Sequence, residues 1–335
     1  LSRFLPSVIA AHTLAELGVP RAEAAVRLYG RTDGEDPAHG LAAMDEAIDK
    51  GLARLYDMQL GSGAWGWWKG GEPDAYMTAY AVWGLTLAEQ ADVAVQPEAL
   101  QRARGWLERE LVEGEFRPDL QAWMLHALTA RYAAAANPQP SRPEAEAFAN
   151  LWAQRASLNA MTRALLALSA HQMGLAQDAH TLARNLRNGL VRDEDPERSI
   201  LVGDAQGNRN PAVIPTAHWG REGIVWRWSD TATEATAFGL MALLAIEPGS
   251  DLVTPVMNWL VKNRRGAQWR NTRDTALCVL ALTRYLAHTG ELGADTGYSV
   301  RVNREPLAEG TATATATGIH NLDTRHLKEG ANTVT

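Results

Sequence analysis

Tryptophans and carboxylates are the residues whose types and placement suggest chemistry in this chain. The glycine-rich stretch 61–74 holds Trp65, Trp67 and Trp68 beside Glu72 and Asp74. Later stretches repeat the mixture: Asp119 ends Gly-Glu-Phe-Arg-Pro-Asp, Trp219, Trp226 and Trp228 lie with Glu222, Asp230 and Glu234, and Trp269 sits in the turn 266–271. Paired carboxylates flanked by aromatic platforms are the equipment of general acid–base glycoside hydrolysis. The same residues also have a structural reading. An Asp just before an apolar run caps a helix, and acids favour its first turn. Indole rings fill apolar surface where short turns close the end of a helical barrel.

Histidine and cysteine offer less. His12, His126 and His171 lie within apolar segments and His218 lies in an insert, without the paired helical spacing of a metal site, so the reading is satisfied core histidines. Cys278 is the only cysteine and falls within Thr-Ala-Leu-Cys-Val-Leu-Ala-Leu, where a small buried hydrophobe is expected. Neither a metal nor a cofactor is expected. The nearest approach to the acidic motifs of terpenoid cyclases is Asp193-Glu-Asp195 followed by Pro196. No serine elbow, phosphate loop or dinucleotide fingerprint is present in the sequence.

The elements that position these residues come from a repeat. The octet Thr78-Ala-Tyr-Ala-Val-Trp-Gly-Leu85 has relatives beginning at Ser7, Gln121, Thr162, Thr236 and Thr275. Three of the steps between starts are about 40 residues, the length of a helical hairpin with its loops. The octets are apolar nearly all round and rich in Ala and Gly, as expected of helices buried on every side. Between them run amphipathic segments: 41–60 (Leu41, Met44, Ile48, Leu52, Leu55), 97–112 (Leu100, Ala103, Trp106, Leu107, Leu111), 142–155 (Ala145, Phe148, Ala149, Trp152), 176–190 and 251–262. This alternation predicts an α/α toroid, with six inner helices and about six outer ones. An open α-solenoid gives a similar alternation, but the all-round apolar character of the octets favours closure. Asp74, Asp119 and Asp230 are expected at N-caps. The insert 197–215 is expected to form a short β-ribbon or an ordered loop.

After Tyr285 the period changes to two, in Ser299-Val-Arg-Val-Asn303 and in Thr311–Thr317, with a turn expected at Glu305-Pro306 and another strand at 332–335. The expected division is a toroid over 1–290 and a partial β-sandwich domain over 291–335. The 335 residues carry a net charge of −7 and 46% hydrophobic residues, with no basic run, so nucleic acid is not an expected partner. No apolar run reaches the ~18 residues of a membrane helix. The chain opens within a helical pattern without an initiator Met, which reads as a piece of a longer protein.

Three motifs in order carry a family resemblance: Leu1-Ser-Arg-Phe-Leu-Pro-Ser-Val-Ile-Ala-Ala-His12, the tryptophan loop with its helix over 63–85, and Thr-Arg-Asp-Thr-Ala-Leu-Cys-Val-Leu-Ala-Leu-Thr-Arg-Tyr-Leu over 272–286. They resemble the thioester domain of bacterial α2-macroglobulins, and the tail from Tyr298 to Val334 is similar to the β-domain that follows in that family. The resemblance implies the toroid fold and a protease-trapping inhibitor rather than an enzyme. In such a trap, cleavage of a bait segment exposes a thioester between the Cys and Gln of a Cys-x-Glu-Gln motif, and an amine of the protease attacks its carbonyl. The implied partners are target proteases and other domains of the parent chain. The implied location is the bacterial periplasm, with a lipid anchor on some parents.

The thioester motif would sit a few residues before Leu1, so this chain carries no covalent chemistry itself. The turn 114–119 lacks the His that some complement-type domains place there, which implies direct attack by amines rather than His-assisted transfer to hydroxyls. On this resemblance Trp65, Trp67 and Trp68 are expected to shield the reactive bond from water. A toroidal glycoside hydrolase or polysaccharide lyase with Trp-lined subsites is the competing class. A non-catalytic interaction scaffold of the same family is a third.

Overall fold

A computed structural model describes residues 4–18, 37–192, 201–203, 209–211, 214–220, 232–265, 268–290, 296–312, 324–330 and 332–333. Among them, six helices correspond to the octets: α1 (Phe4–Glu16), α3 (Ala75–Gln90), α5 (Pro118–Thr129), α7 (Ala160–Gln172), α9 (Ala232–Ile246) and α11 (Thr272–Thr289). Five amphipathic helices alternate with them: α2 (Pro37–Asp57), α4 (Pro97–Glu113), α6 (Arg142–Ala153), α8 (Ala176–Asn185) and α10 (Val253–Lys262). Each inner helix packs on the inner helices before and after it, and α11 packs back on α1. That last contact closes the ring, so the molecule is a mostly helical α/α toroid and not an open solenoid. The outer helices lie in the grooves between successive inner ones, α4 against α3 and α5, α6 against α5 and α7, α8 against α7 and α9, and α10 against α9 and α11.

Burial follows the alternation. In α3 every residue from Thr78 to Ala88 is buried, and in α7 every residue from Ala160 to Ala170. Such helices have no solvent face, which is why their pattern shows no 3.6-residue modulation. The octet of α1 and that of α11 fall short of all-round burial and keep several half-buried positions. Outer helix α4 buries Leu100, Ala103, Trp106, Leu107 and Leu111 as its spacing predicts. In α2, Ile48, Leu52 and Leu55 are buried, while Leu41 lies outside the residues whose side chains are described.

Helix α6 departs from expectation. Ala145 and Ala149 are exposed, Trp152 is half-buried, and the inward face is Glu144, Ala147, Phe148 and Leu151. The cause is Glu144. Its carboxylate accepts from the Ser141 amide at 2.7 Å in a capping box and pairs with Arg131 at 2.9 Å, which turns a charged residue toward the ring and the alanines away from it.

Caps fix where the inner helices begin. Asp74 accepts from the Met77 amide, Asn159 from that of Thr162 and Asn271 from that of Asp274, each at 2.8 Å. Asp119 is not a cap. The α5 cap is Arg117, Pro118 takes the first helical position, and Asp119 sits in the first turn, where it binds Arg117 at 2.7 Å. Asp230 lies outside the described residues.

Three tryptophans lock the outer-to-inner turns in one way. The indole N–H of Trp65 donates to the Leu55 carbonyl at 2.8 Å, that of Trp219 to Leu186 at 2.7 Å, and that of Trp269 to Leu260 at 2.8 Å. Each acceptor is a carbonyl at the end of the preceding outer helix, where the regular helical partners run out; the Leu55 carbonyl also accepts from the Met58 amide at 3.2 Å. Each Trp backbone N–H then donates to a threonine of the next inner helix: Thr78 at 2.9 Å, Thr236 at 3.3 Å and Thr275 at 3.0 Å. Those threonines are the first residues of their octets. All three indoles are buried.

The insert supplies short ribbons. β1 (Leu190–Arg192) pairs antiparallel with β4 (Ala217–Trp219), and β2 (Leu201–Gly203) with β3 (Arg209–Pro211). Outer helix α8 therefore ends at Asn185, earlier than its sequence pattern suggests. Beyond the ring, β5 (Thr296–Val302) and β6 (Glu305–Ala312) form a hairpin. Its turn is Asn303-Arg304, both at positive φ (50° and 77°), and not Glu305-Pro306, which begin β6. Two central residues at positive φ give a turn whose twist matches the strands. Residues 313–317, most of the second period-two run, lie outside the described residues. No helix among the described residues is long and apolar enough to cross a membrane.

Gly239 of α9 faces the Trp219 latch, and a Cβ there would lie 2.4 Å from the indole ring. Gly239→Ala should displace that buried ring and cost about 1–3 kcal/mol of stability, the usual penalty of overpacking; thermal unfolding monitored by tryptophan fluorescence checks it. His126 gives a pH dependence. Burial first, and Arg284 second, lower its pKa to about 3. The unfolded chain, at about 6.5, takes the proton first. The stability contributed by neutral His126 is therefore complete above pH ~6.5 and is lost as the pH falls toward 3, by about 1.4 kcal/mol per unit. His126→Leu should flatten that part of the acid limb, measured as urea midpoints at pH 7 and pH 5.

Candidate functional site

The repeat register gathers one layer of side chains. Two residues before each latch threonine stand Tyr76 on α3, Glu234 on α9 and Arg273 on α11. Each lies in the first turn of its helix, so all three are at the end of the ring where the inner helices begin. Arg273 joins them. One of its terminal nitrogens donates to the Tyr76 hydroxyl and the other to the Glu234 carboxylate. Its guanidinium also lies over the Tyr76 ring, 5.8 Å from the centroid. Asp119 of α5 occupies the same register and holds Arg117 instead.

An aromatic column runs inward from this layer. Trp67 stacks on Tyr76 at 6.5 Å, and Tyr76 stacks on Tyr80 at 6.2 Å. Tyr80 meets Trp83 and Trp123, which close on His126 and Phe238 across the middle of the ring. The column excludes water, and this shows in the titrating groups. Burial pushes the Tyr76 and Tyr80 phenols up, with Arg273 pulling the other way. Burial also raises the Glu234 carboxyl against the pull of Arg273. Arg273 is itself raised: desolvation works against its charge, but Glu234 and then the two tyrosines outweigh it.

The tryptophan loop divides its residues. Trp65 is the buried latch. Trp67 is 43% exposed, and its indole N–H donates to the capping Asp74 at 3.1 Å. Trp68 is 69% exposed. Gly63 at φ +93° brings the loop against the Arg102 carbonyl, so a side chain there would be strained in both conformation and space. Trp226, Trp228, Glu222, Asp230 and the Asp193–Asp195 acids fall outside the described residues.

The remaining candidates find other roles. Among the described acids, Asp74 caps α3, Asp119 binds Arg117, Glu234 binds Arg273, and Glu72 is exposed. His12 is half-buried with its pKa lowered to about 4 by burial and then by Arg284. His171, expected to be buried, is exposed at the end of α7, because that helix ends there and its last turn leaves the ring. His218 stacks on Trp259 of outer helix α10 at 4.5 Å, with Nδ1 at 2.9 Å from the Trp219 carbonyl. Cys278 is buried, and burial pushes its thiol up. No group of His, Cys, Asp and Glu among the described residues has the arrangement of a metal site.

Tyr76 and Arg273 were not singled out by sequence reasoning. Aligning the octets and counting back two residues would have marked them with Glu234 as one layer. No spacing shows that Arg273 bridges two helices that are not adjacent in the ring.

A family model described as the A-macroglobulin TED domain matches residues 117–285. The α2-macroglobulin of Thermotoga maritima is 25% identical over 240 residues, covering 71% of this chain and 12% of that protein. Trypsin-activated α2-macroglobulin of Escherichia coli superposes with a TM-score of 0.56 at 17% identity, covering 93% of this chain and 18% of that one. Salmonella α2-macroglobulin reacted with methylamine superposes with a TM-score of 0.57 at 18% identity, covering 91% of this chain and 19% of that one. This chain thus spans a small fraction of the length of each relative. Half of it matches the family model, and its closed toroid is the fold of these solved relatives: the chain belongs to the A-macroglobulin TED-domain family.

Proposed function

We propose that this chain is the thioester-domain portion of a bacterial α2-macroglobulin-like inhibitor that traps proteases covalently. The observation that carries the reading is where α1 begins. Helix α1 stands in the ring between α3 and α11. It runs in the same direction as α11, since Thr13, late in α1, meets Thr283, late in α11. The chain therefore enters α1 from the end where Trp67, Tyr76 and Arg273 lie, with Phe4 and Leu5 beside Gly84 of α3, about two turns inward of Tyr76. A Cys-x-Glu-Gln a few residues before Leu1 would lie at that aromatic layer, where water is excluded and a thioester carbonyl would survive.

In this reading the chain is not an enzyme but part of an endopeptidase inhibitor. The trapped protease supplies the amine, and the other domains of the parent cover the exposed Trp67 and Trp68 until the bait is cut. No cofactor is required. Relatives described as trypsin-activated and as methylamine-reacted support the partner class and the amine chemistry. A periplasmic location, with lipid anchoring of the parent, belongs to the same proposal. So does the domain division, a toroid over 1–290 and the start of a β-domain over 291–335. His218, held against Trp259 on the outer layer, leaves attack by free amines as the chemistry.

Two measurements test this reading. Methylamine added to the parent protein should release one thiol per chain, titrated with a chromogenic disulfide, and no release would overturn it. Trp67→Ala with Trp68→Ala should speed spontaneous thioester hydrolysis several-fold; an unchanged hydrolysis rate removes the shielding role.

A further inference from the structure

The buried polar layer at the start of the ring contains more than a seal requires. Trp67 and Tyr76 would exclude water by their rings alone. Arg273 is a cation desolvated among them, and burying a charge is costly unless it is paired. Glu234 pairs it and is almost fully buried, its side chain 5% exposed, whereas the Arg273 side chain is 21% exposed. The guanidinium thus pairs with a nearly buried carboxylate while remaining part-exposed itself. Its reach is also specific. The contact between Arg273 on α11 and Tyr76 on α3 joins the two helices that flank α1. Further along, α11 sends a second arginine to α1, where Arg284 stands 3.8 Å from Glu16. The two inner helices are therefore tied together away from the site, and ring closure does not depend on Arg273.

We propose that Arg273 is the oxyanion-binding residue of the thioester site, held in place by Glu234 and Tyr76. The inference rests on the thioester reading above. The amine nitrogen of the attacker bonds to the thioester carbonyl carbon, and the carbonyl π pair moves onto oxygen beside the guanidinium. Collapse restores the C=O bond and breaks the C–S bond. Cysteine leaves as thiolate and takes up the proton released by the attacking nitrogen. The C–N and S–H bonds form, the C–S and N–H bonds break, and nothing is oxidised or reduced. A planar cation fixed by two hydrogen bonds needs no reorganisation as the negative charge develops, which is the condition for large electrostatic stabilisation. It also disfavours approach of an ammonium, so the neutral amine is selected.

The test uses the full-length parent, with rates expressed per thioester formed. Arg273→Gln should slow methylamine-driven thiol release about a hundredfold, the usual effect of losing one oxyanion donor, and should slow spontaneous hydrolysis as well. Arg273→Lys, which keeps the charge but not the fork, should lose less. A wild-type rate in Arg273→Gln overturns the proposal. So does faster hydrolysis, which would mark Arg273 as part of a seal only. Since Arg273→Gln strands the Glu234 carboxylate, the double variant Arg273→Gln with Glu234→Gln replaces the ion pair by a neutral one and should be equally slow; a wild-type rate there overturns the proposal too. If the wild-type parent releases no thiol, the thioester reading fails and this inference with it, an outcome distinct from a reactive parent whose variants are unaffected.

Discussion

Helices with no polar face impose the main constraint on this molecule. From Thr78 to Ala88 of α3 and from Ala160 to Ala170 of α7 every residue is buried. Each such helix has to be surrounded, by inner neighbours on two sides, an outer helix behind and side chains filling the axis in front. A row of six satisfies this for its middle members and leaves the first and last bare. The contact of α11 with α1 removes both ends at once. Each large apolar side chain covered in this way is worth roughly 1.5–3 kcal/mol. The few polar residues in these helices keep the ring dry by bonding locally: Thr86, Thr129 and Ser169 each donate to the carbonyl four residues back, at 2.9 Å.

The tryptophan latches turn this general constraint into a defined register. An outer helix leaves unpaired carbonyls at its end, and the following loop must reverse direction within a few residues. One indole satisfies the carbonyl behind and one backbone amide engages the threonine ahead, so the outer helix end and the inner helix start are held at a fixed height. The same geometry at α3, α9 and α11 sets three octets level. Residues that share a repeat position are then level too, which brings Tyr76, Glu234 and Arg273 into one layer although they are far apart in the chain.

That layer combines two requirements that conflict in water. A bond sensitive to hydrolysis needs an apolar surrounding, and a developing anion needs a fixed positive charge. In the proposed site, aromatic rings and a part-exposed guanidinium, paired with the buried Glu234 carboxylate, would meet both. A hydrated lysine would bring water with it. In the proposed trap, the exposed rings of Trp67 and Trp68 would complete the layer only when another domain of the parent covers them, which would tie the dryness of the site to the assembly of the parent.

The sequence by itself determined the helices, their alternation and the family. All-round apolar octets against 3.6-period segments are local properties, and so is the Asp74 cap, whereas Asp119 was expected to cap and instead lies in the first turn behind Arg117. The sequence also placed most buried residues, Leu100 to Leu111 of α4 among them. The inward face of α6 was not legible, because the partners of Glu144, Arg131 and Tyr132, come from the preceding turn and not from the helix's own pattern. The hairpin turn was missed because Asn303-Arg304 takes positive φ without a glycine. The sequence already favoured closure of the row; tertiary structure alone decided that Trp65 is a buried latch while Trp67 and Trp68 stay exposed, and that Arg273 meets Tyr76 across α1. Those are contacts between segments far apart in the chain. Local periodicity fixes which face of a helix is apolar, but not which distant helix it meets.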